Sequence, residues 1–121
     1  MPLLVNSTQG HIMARNVERA NTEVARTVGF LTKSRIGADD GIWFPRCSLI
    51  HTFGMRTRVD VIFIDDGSRV LRVIEAAAPW RIYSGGTRAA HAIELAPGSV
   101  ARGKLHLGDV LTLDDANVAR S

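Results

Sequence analysis

The stretch Val59-Asp60-Val61-Ile62-Phe63-Ile64, followed by Asp65-Asp66-Gly67, decides the fold class. Its first six residues are apolar except for Asp60, which predicts a largely buried β-strand. Asp and Gly tolerate left-handed backbone conformations, so the next three residues predict a hairpin turn. Residues 69–74 then continue as the second strand of the hairpin. The chain is therefore expected to be built mainly from β-structure.

Short apolar segments on both sides of this hairpin extend the same pattern. They predict strands over residues 3–6, 11–15, 42–44, 47–53, 90–95 and 110–113. A helix is expected after a cap at Asn21 or Thr22, and one helical turn over residues 99–104. Residues 76–86 are expected to form a loop, and residues 114–121 a loose tail. The prediction is one domain over residues 1–121, with a core over about 3–113, closed as a barrel or sandwich.

Composition excludes several classes of protein. The 121 residues are 45% hydrophobic and carry 15 Lys and Arg against 12 Asp and Glu, which is typical of a globular chain. The single cysteine, Cys47, excludes an internal disulfide framework. Basic residues are spread among acidic ones, which disfavours nucleic acid despite the pI near 9.8. No membrane helix or signal peptide is predicted, and the cytoplasm is the expected location.

Several motifs in order resemble one uncharacterised bacterial and archaeal family, domain-of-unknown-function family 192, also called uncharacterised protein family 0127. The motifs are His51-Thr52-Phe53-Gly54-Met55-Arg56, the strand opened by Asp60, Glu94-Leu95 and Gly108-Asp109, with Arg26 and Gly29 upstream. Where the family reads Glu-Leu-Pro-Ala-Gly, this chain has Ala96-Pro97-Gly98 after the Glu-Leu pair. The resemblance implies a compact jelly-roll or β-clip-like structure. It implies no activity and no cofactor.

Two carboxylates interrupt apolar strands. Asp60 shares a strand face with Ile62 and Ile64, so a buried carboxylate there needs a partner. The structural interpretation gives Asp60 a bridge to Arg56, Arg58 or a backbone N–H group; the functional one makes it an acid, base or ligand contact. Glu94 poses the same question, and its structural interpretation is an outward-facing position on a half-exposed strand. If the two carboxylates converged, they could share a proton or bind a cation.

Cys47, His51 and Met55 recur at intervals of four residues. A thiolate, an imidazole and a thioether together suit Cu(I), so a soft-metal site is one hypothesis. Core packing is the alternative, since Cys and Met are often buried. Trp80 and Arg81 lie in the predicted loop with Tyr83. Exposed aromatic rings beside Arg are typical of binding surfaces, although Trp80 could instead cover one end of a barrel.

The main functional hypothesis is a non-enzymatic binding or accessory module for a small polar ligand or a segment of a partner protein. Its proposed pocket is lined by His51, Arg56, Asp60, Trp80, Arg81 and Glu94. The first alternative is a small hydrolase that uses His51 with Asp60 or Glu94 as acid and base. The second is Cu(I) binding through Cys47, His51 and Met55. No cofactor and no membrane partner are expected.

Overall fold

The structure is a computed structural model that describes residues 2–21 and 36–115. Within these residues it contains ten strands and one short helix, which confirms the mainly β prediction. The strands are β1 (Leu3–Asn6), β2 (His11–Ala14), β3 (Asn16–Arg19), β4 (Asp40–Phe44), β5 (Leu49–His51), β6 (Val59–Ile64), β7 (Val70–Ala77), β8 (Ile82–Ser84), β9 (His91–Leu95) and β10 (Leu111–Asp114). The helix, α1, spans Ser99–Arg102.

The strands form three sheets. The largest has the order β3-β4-β9-β6-β7, in which only the β3–β4 pair is parallel. A three-stranded sheet has the order β10-β1-β2, and β5 pairs with β8 alone. None of the three closes on itself within the described residues, so the expected barrel is not found there. Strand β6 is fully buried because β7 and β9 flank it and both of its faces are covered.

Alternation along β6 divides the core into two clusters. Ile62 and Ile64 pack on one face with Ile93 and Leu95, and with residues from β1, β2 and β10. The opposite cluster contains the alternate residues of β6 together with residues of β4, β5 and β7: Val59, Val61, Phe63, Ile42, Phe44, Ile50 and Ala77. Each fully buried aliphatic side chain contributes about 1.5–3 kcal/mol. The hairpin region thus supplies both sides of the core.

Some element boundaries differ from the sequence predictions. Strand β7 continues to Ala77, and β8 lies inside the segment expected to be a loop, because β8 pairs with β5 instead of with a sequence neighbour. Strand β3 was not expected, and β10 extends to Asp114. The helical turn is observed as α1. The helix expected after Asn21 and most of the tail lie outside the described residues.

Candidate functional site

Asp60 is fully buried and bonds to backbone on two separate elements. Its Oδ1 accepts a hydrogen bond from the Ala76 N–H at 2.8 Å, and its Oδ2 accepts one from the Val100 N–H in α1 at 2.9 Å. Ala76 has a left-handed φ of 49°, and Arg58 donates to its carbonyl at 2.9 Å. Asp60 therefore stabilises the left-handed backbone at Ala76 in β7 and the start of α1. This agrees with the structural interpretation, in which Asp60 bonds to a backbone N–H group.

Glu94 is also buried, but in an apolar environment. Its cross-strand neighbours are Ile42 on β4 and Val61 on β6. Only 3% of the residue is exposed, and no residue within 2–21 or 36–115 hydrogen-bonds to its carboxyl group. Desolvation by burial raises the pKa of Glu94 to about 7. Near neutral pH this side chain therefore holds a proton for much of the time.

The two carboxylates do not meet. Asp60 pairs across the ladder with Leu95, and Glu94 pairs with Val61. Direct cross-strand partners share a face and successive residues alternate, so Asp60 and Glu94 lie on opposite faces of the sheet. The condition for a shared proton or a bound cation is therefore not met. His51 is exposed, and among the described residues it contacts Phe53 and neither carboxylate. An acid–base site made from these three residues is not assembled.

The three soft-metal candidates do not lie on one face, because His51 is apart from the other two. Met55 is 6% exposed and packs in the core, where the half-buried Cys47 also contacts the cluster. The Cys47 thiol donates to the Leu49 carbonyl at 3.1 Å. His51 instead lies on the exposed side of β5. The described part of the chain contains no group of three or more His, Cys, Asp or Glu side chains suited to a metal ion.

The β5–β8 ribbon presents one apolar face to solvent. Ile50 and Tyr83 are a cross-strand pair that packs inward, so the next pair, His51 and Ile82, faces outward. The His51 ring lies 5.3 Å from the Phe53 ring, which lies 6.2 Å from the Trp80 ring. We call the exposed residues of this face the aromatic surface: Leu49, His51, Phe53, Trp80 and Ile82.

These side chains are unusually exposed for their type. The exposed fraction is 64% for Trp80, 58% for Ile82, 55% for Leu49 and 43% for Phe53. Trp80 therefore does not cover the end of a barrel. Contiguous exposed apolar side chains on a small protein mark interaction surfaces more often than isolated ones do. Trp80 and His51 are brought together by the fold, whereas Asp60 and Glu94 of the expected pocket are buried elsewhere.

Thr52 holds the loop that carries Trp80. This threonine is 1% exposed; its Oγ1 donates to the Ala78 carbonyl at 2.7 Å and accepts from the Arg81 N–H at 3.0 Å. Its carbonyl accepts from the Trp80 N–H at 3.0 Å. Trp80 has a φ of 62°, a left-handed conformation that costs a non-glycine residue about 1–2 kcal/mol. The hydrogen bonds to Thr52 keep the backbone in this strained state.

Three arginines lie on the segments that carry the aromatic surface. Arg56 and Arg58 follow Phe53 in the chain, and Arg81 follows Trp80; all three are exposed. Arg81 donates to the Trp80 carbonyl at 3.2 Å. Sequence reasoning selected His51, Arg56, Trp80 and Arg81, but it missed Phe53, Leu49 and Ile82. Leu49 could have been selected because it lies two residues before His51 in a predicted strand, which places both side chains on one face.

A second polar cluster surrounds Asp109, which the sequence marked only as part of a family motif. Asp109 is buried, and its Oδ2 accepts hydrogen bonds from Asn6, Gln9 and the His106 N–H at 2.9, 2.7 and 2.9 Å. Burial alone would raise the pKa of Asp109, but these hydrogen bonds and the charge of His106 outweigh it and lower the pKa. The cluster joins β1 to the loop before β10, which is a structural role.

Comparisons with known proteins agree with the family resemblance that the sequence motifs indicate. The model of DUF192, a family described as an uncharacterized ACR, matches residues 4–113. The chain belongs to the DUF192 family. A UPF0127 protein from Thermococcus gammatolerans is 28% identical to this DUF192 chain over 116 residues, which are 93% of this chain and 75% of the relative. The resemblance carried by the His51–Arg56 and Asp60 motifs is thus confirmed.

Two solved structures share the fold of this DUF192 chain. A protein of unknown function from Novosphingobium aromaticivorans has a TM-score of 0.79 at 23% identity, over 93% of this chain and 84% of that one. A proposed transcription regulator from Sinorhizobium meliloti has a TM-score of 0.77 at 22% identity, over 93% of this chain and 91% of that one. At these identities the likeness concerns the fold alone. In the described residues, no helix is long and apolar enough to span a membrane.

Proposed function

We propose that this DUF192 chain is a non-enzymatic binding module and that the aromatic surface binds a segment of a partner protein. The observation that carries the proposal is the conformation of Trp80. Its indole is mostly exposed while its backbone is held in a left-handed state by Thr52. Such strain persists only where the surroundings enforce it, and it concentrates at functional sites.

The composition of the surface supports a protein ligand. Aromatic residues and Arg are enriched in the buried centres of protein interfaces, and Lys, Glu and Asp are depleted there. The aromatic surface combines Trp80, Phe53 and His51 with two aliphatic side chains, Leu49 and Ile82. Covering these side chains would remove apolar area from water without burying a Lys, Glu or Asp side chain. Exposed aliphatic groups gain less from a small polar ligand, so we favour the partner segment over that alternative.

The separation of the candidate catalytic groups supports a non-enzymatic role. Asp60 already accepts two backbone hydrogen bonds, and Glu94 is enclosed by apolar residues on the other face of the sheet. His51 contacts Phe53 in the described structure and not a carboxylate. General acid–base catalysis needs such groups within hydrogen-bond reach of one substrate. The hydrolase hypothesis therefore has no supporting geometry.

We infer that residues 1–121 form one domain, and that the arrangement of its sheets is β-clip-like, as the family resemblance implies. Support comes from the two core clusters, which are covered from opposite sides by β1–β2 and by β5–β8. The cytoplasm remains the expected location, and the free thiol of Cys47 is compatible with it.

Site-directed photo-crosslinking in the source cells tests the proposed function. A benzophenone amino acid replaces Phe53 in one variant and the exposed Thr112 of β10 in a control variant. We expect a discrete crosslinked protein from position 53 that is absent from position 112 and disappears when Trp80→Ala is added. Equal products from both positions, or products that are insensitive to Trp80→Ala, would contradict the proposal.

A further inference from the structure

The charge around the aromatic surface is one-sided. Residues 46–59 and 76–91, which supply every side chain of that surface, contain five of the 15 basic residues and none of the 12 acidic ones. The rest of the chain therefore has ten basic against twelve acidic residues and is net negative. Of these five basic residues, Arg56, Arg58 and Arg81 lie on the segments next to the aromatic rings, whereas Arg88 lines a separate cavity with Asp65 and Asp66. The positive charge near the rings is therefore that of three arginines.

The arginines that follow the rings in the chain have no acidic partners among the described residues. Arg58 donates to the Ala76 carbonyl and Arg81 to the Trp80 carbonyl, so both bond to neutral backbone oxygens. Among the residues that the structure describes, none forms an ion pair with Arg56, Arg58 or Arg81. The nearby carboxylate of Asp60 is buried and bonded to backbone N–H groups. The positive charge at this face is therefore uncompensated.

We propose that the segment recognised by the aromatic surface is acidic, with at least one aromatic or aliphatic side chain that packs against Trp80. This inference rests on the proposed function and adds the chemistry of the partner. Apolar contact with Trp80, Phe53 and Ile82 supplies most of the affinity, as buried aromatic residues do in interfaces. The arginines select carboxylates over ammonium groups and accelerate association at low salt.

Two other occupants fit the surface less well. A second copy of this chain, related by a two-fold axis, would bring Arg81 and Arg56 against the same positive face. Like charges oppose that contact. Single-stranded nucleic acid stacks on exposed aromatic rings and contacts Arg through phosphate. However, Leu49 and Ile82 are more than half exposed, and aliphatic side chains gain little from bases and phosphates. An acidic peptide satisfies both the apolar and the charged part of the surface.

Selection from a library of short random peptides, with subtraction against the Trp80→Ala variant, tests this inference. We expect the enriched peptides to combine Asp or Glu with an aromatic or aliphatic residue. Their affinity, measured by fluorescence anisotropy, is expected to weaken as salt is raised. The double variant Arg56→Glu/Arg81→Glu should weaken binding by roughly ten-fold or more, given the usual strength of exposed ion pairs.

A matched control separates local from overall charge. Arg69→Glu makes the same type of charge change at the far end of the β6–β7 hairpin, and it should leave affinity within about two-fold. Neutral or basic enriched peptides, or an effect of Arg69→Glu as large as that of Arg56→Glu/Arg81→Glu, would overturn the acidic assignment alone. Enrichment that does not depend on Trp80 would overturn the proposed function itself. Tighter binding of the wild type to a single-stranded oligonucleotide than to any selected peptide would replace the peptide with nucleic acid as the ligand.

Discussion

Asp60 and Glu94 lie on adjacent strands, one residue out of register, yet their carboxyl groups are on opposite faces of the central sheet. Asp60 faces α1 and accepts hydrogen bonds from two backbone N–H groups. Glu94 faces the apolar cluster around Val61 and has no partner among the described residues. The carboxyl group of Asp60 thus connects two backbone segments on one face of the sheet, whereas that of Glu94 is buried and binds a proton on the other face.

Glu94 should make stability fall as pH rises. Burial raises its pKa from 4.5 to about 7, so the folded state holds a proton that the unfolded state has released. The contribution of the protonated Glu94 to the free energy of unfolding is complete below the unfolded pKa and is lost as pH rises to the folded pKa. We expect a decrease on the order of 3 kcal/mol between these limits. Urea unfolding measured across this pH range checks the slope.

Two variants isolate the contribution of Glu94 to the pH dependence of stability. Glu94→Gln cannot titrate, so its stability should vary less with pH and should exceed that of the wild type at pH values above the folded pKa. Glu75→Gln, on an exposed position of β7, should retain the wild-type slope. A Glu94→Gln variant with the same pH dependence as the wild type would show that Glu94 is charged in the folded state.

Replacement of Asp60 should destabilise the fold strongly. Asp60→Asn keeps the shape but directs an NH₂ group at one of the two N–H donors, on Ala76 or Val100. Because hydrogen bonds to a charged group contribute about 1.5–3 kcal/mol each, we expect a loss of roughly 3 kcal/mol or more in the free energy of unfolding. Asp66→Asn, in the exposed hairpin turn, should change it by less than about 0.5 kcal/mol. Equal losses of unfolding free energy in the two variants would show that the hydrogen bonds of Asp60 do not stabilise the fold.

Replacement of Trp80 should separate stability from binding. Because Trp80 has a left-handed φ, Trp80→Gly removes strain of about 1–2 kcal/mol while it increases the entropy of the unfolded chain. The expected net effect is a stability equal to the wild type or up to about 1 kcal/mol higher. Binding of a selected peptide should be lost. A large loss of stability in Trp80→Gly would instead assign the indole a packing role.

Acid should weaken the Asp109 cluster. Hydrogen bonds from Asn6, Gln9 and the His106 N–H lower the pKa of Asp109 despite its burial, so its contribution is present at neutral pH and is lost as pH falls through the folded pKa. Asp109→Asn should therefore cost at least ~1 kcal/mol at pH 7, with a difference from the wild type that shrinks in acid. Chemical denaturation at several pH values measures the stability difference between Asp109→Asn and the wild type. A difference that does not change with pH would contradict a stabilising role for the charged Asp109.

Local signals were sufficient for the central hairpin. The apolar run of β6 and the Asp65-Asp66-Gly67 turn specify their conformation through neighbouring residues, and the structure contains both. Strand β8 was missed because its partner, β5, lies about thirty residues earlier in the chain. Its flanking Pro and Gly residues suggested a loop. Pairing between distant segments has no local signature in a single sequence.

The candidate site was predictable only in part. Trp80 and His51 could be selected as unusual polar or aromatic residues, but their approach through Phe53 depends on the β5–β8 register. The failure of Asp60 and Glu94 to converge depends on a single step of register between β6 and β9. The Asn6–Asp109 contact joins residues 103 positions apart. Each of these relationships is set by tertiary pairing and not by residue type.

The most direct test of the central claim compares the affinity of one selected acidic peptide for the wild type and for Trp80→Ala. Fluorescence anisotropy of the labelled peptide gives both dissociation constants, and thermal unfolding confirms that the variant is folded. We expect binding to weaken by roughly 30-fold, the effect of losing an interface hot spot of about 2 kcal/mol. Unchanged affinity in a folded variant would contradict the claim that the aromatic surface is the binding surface.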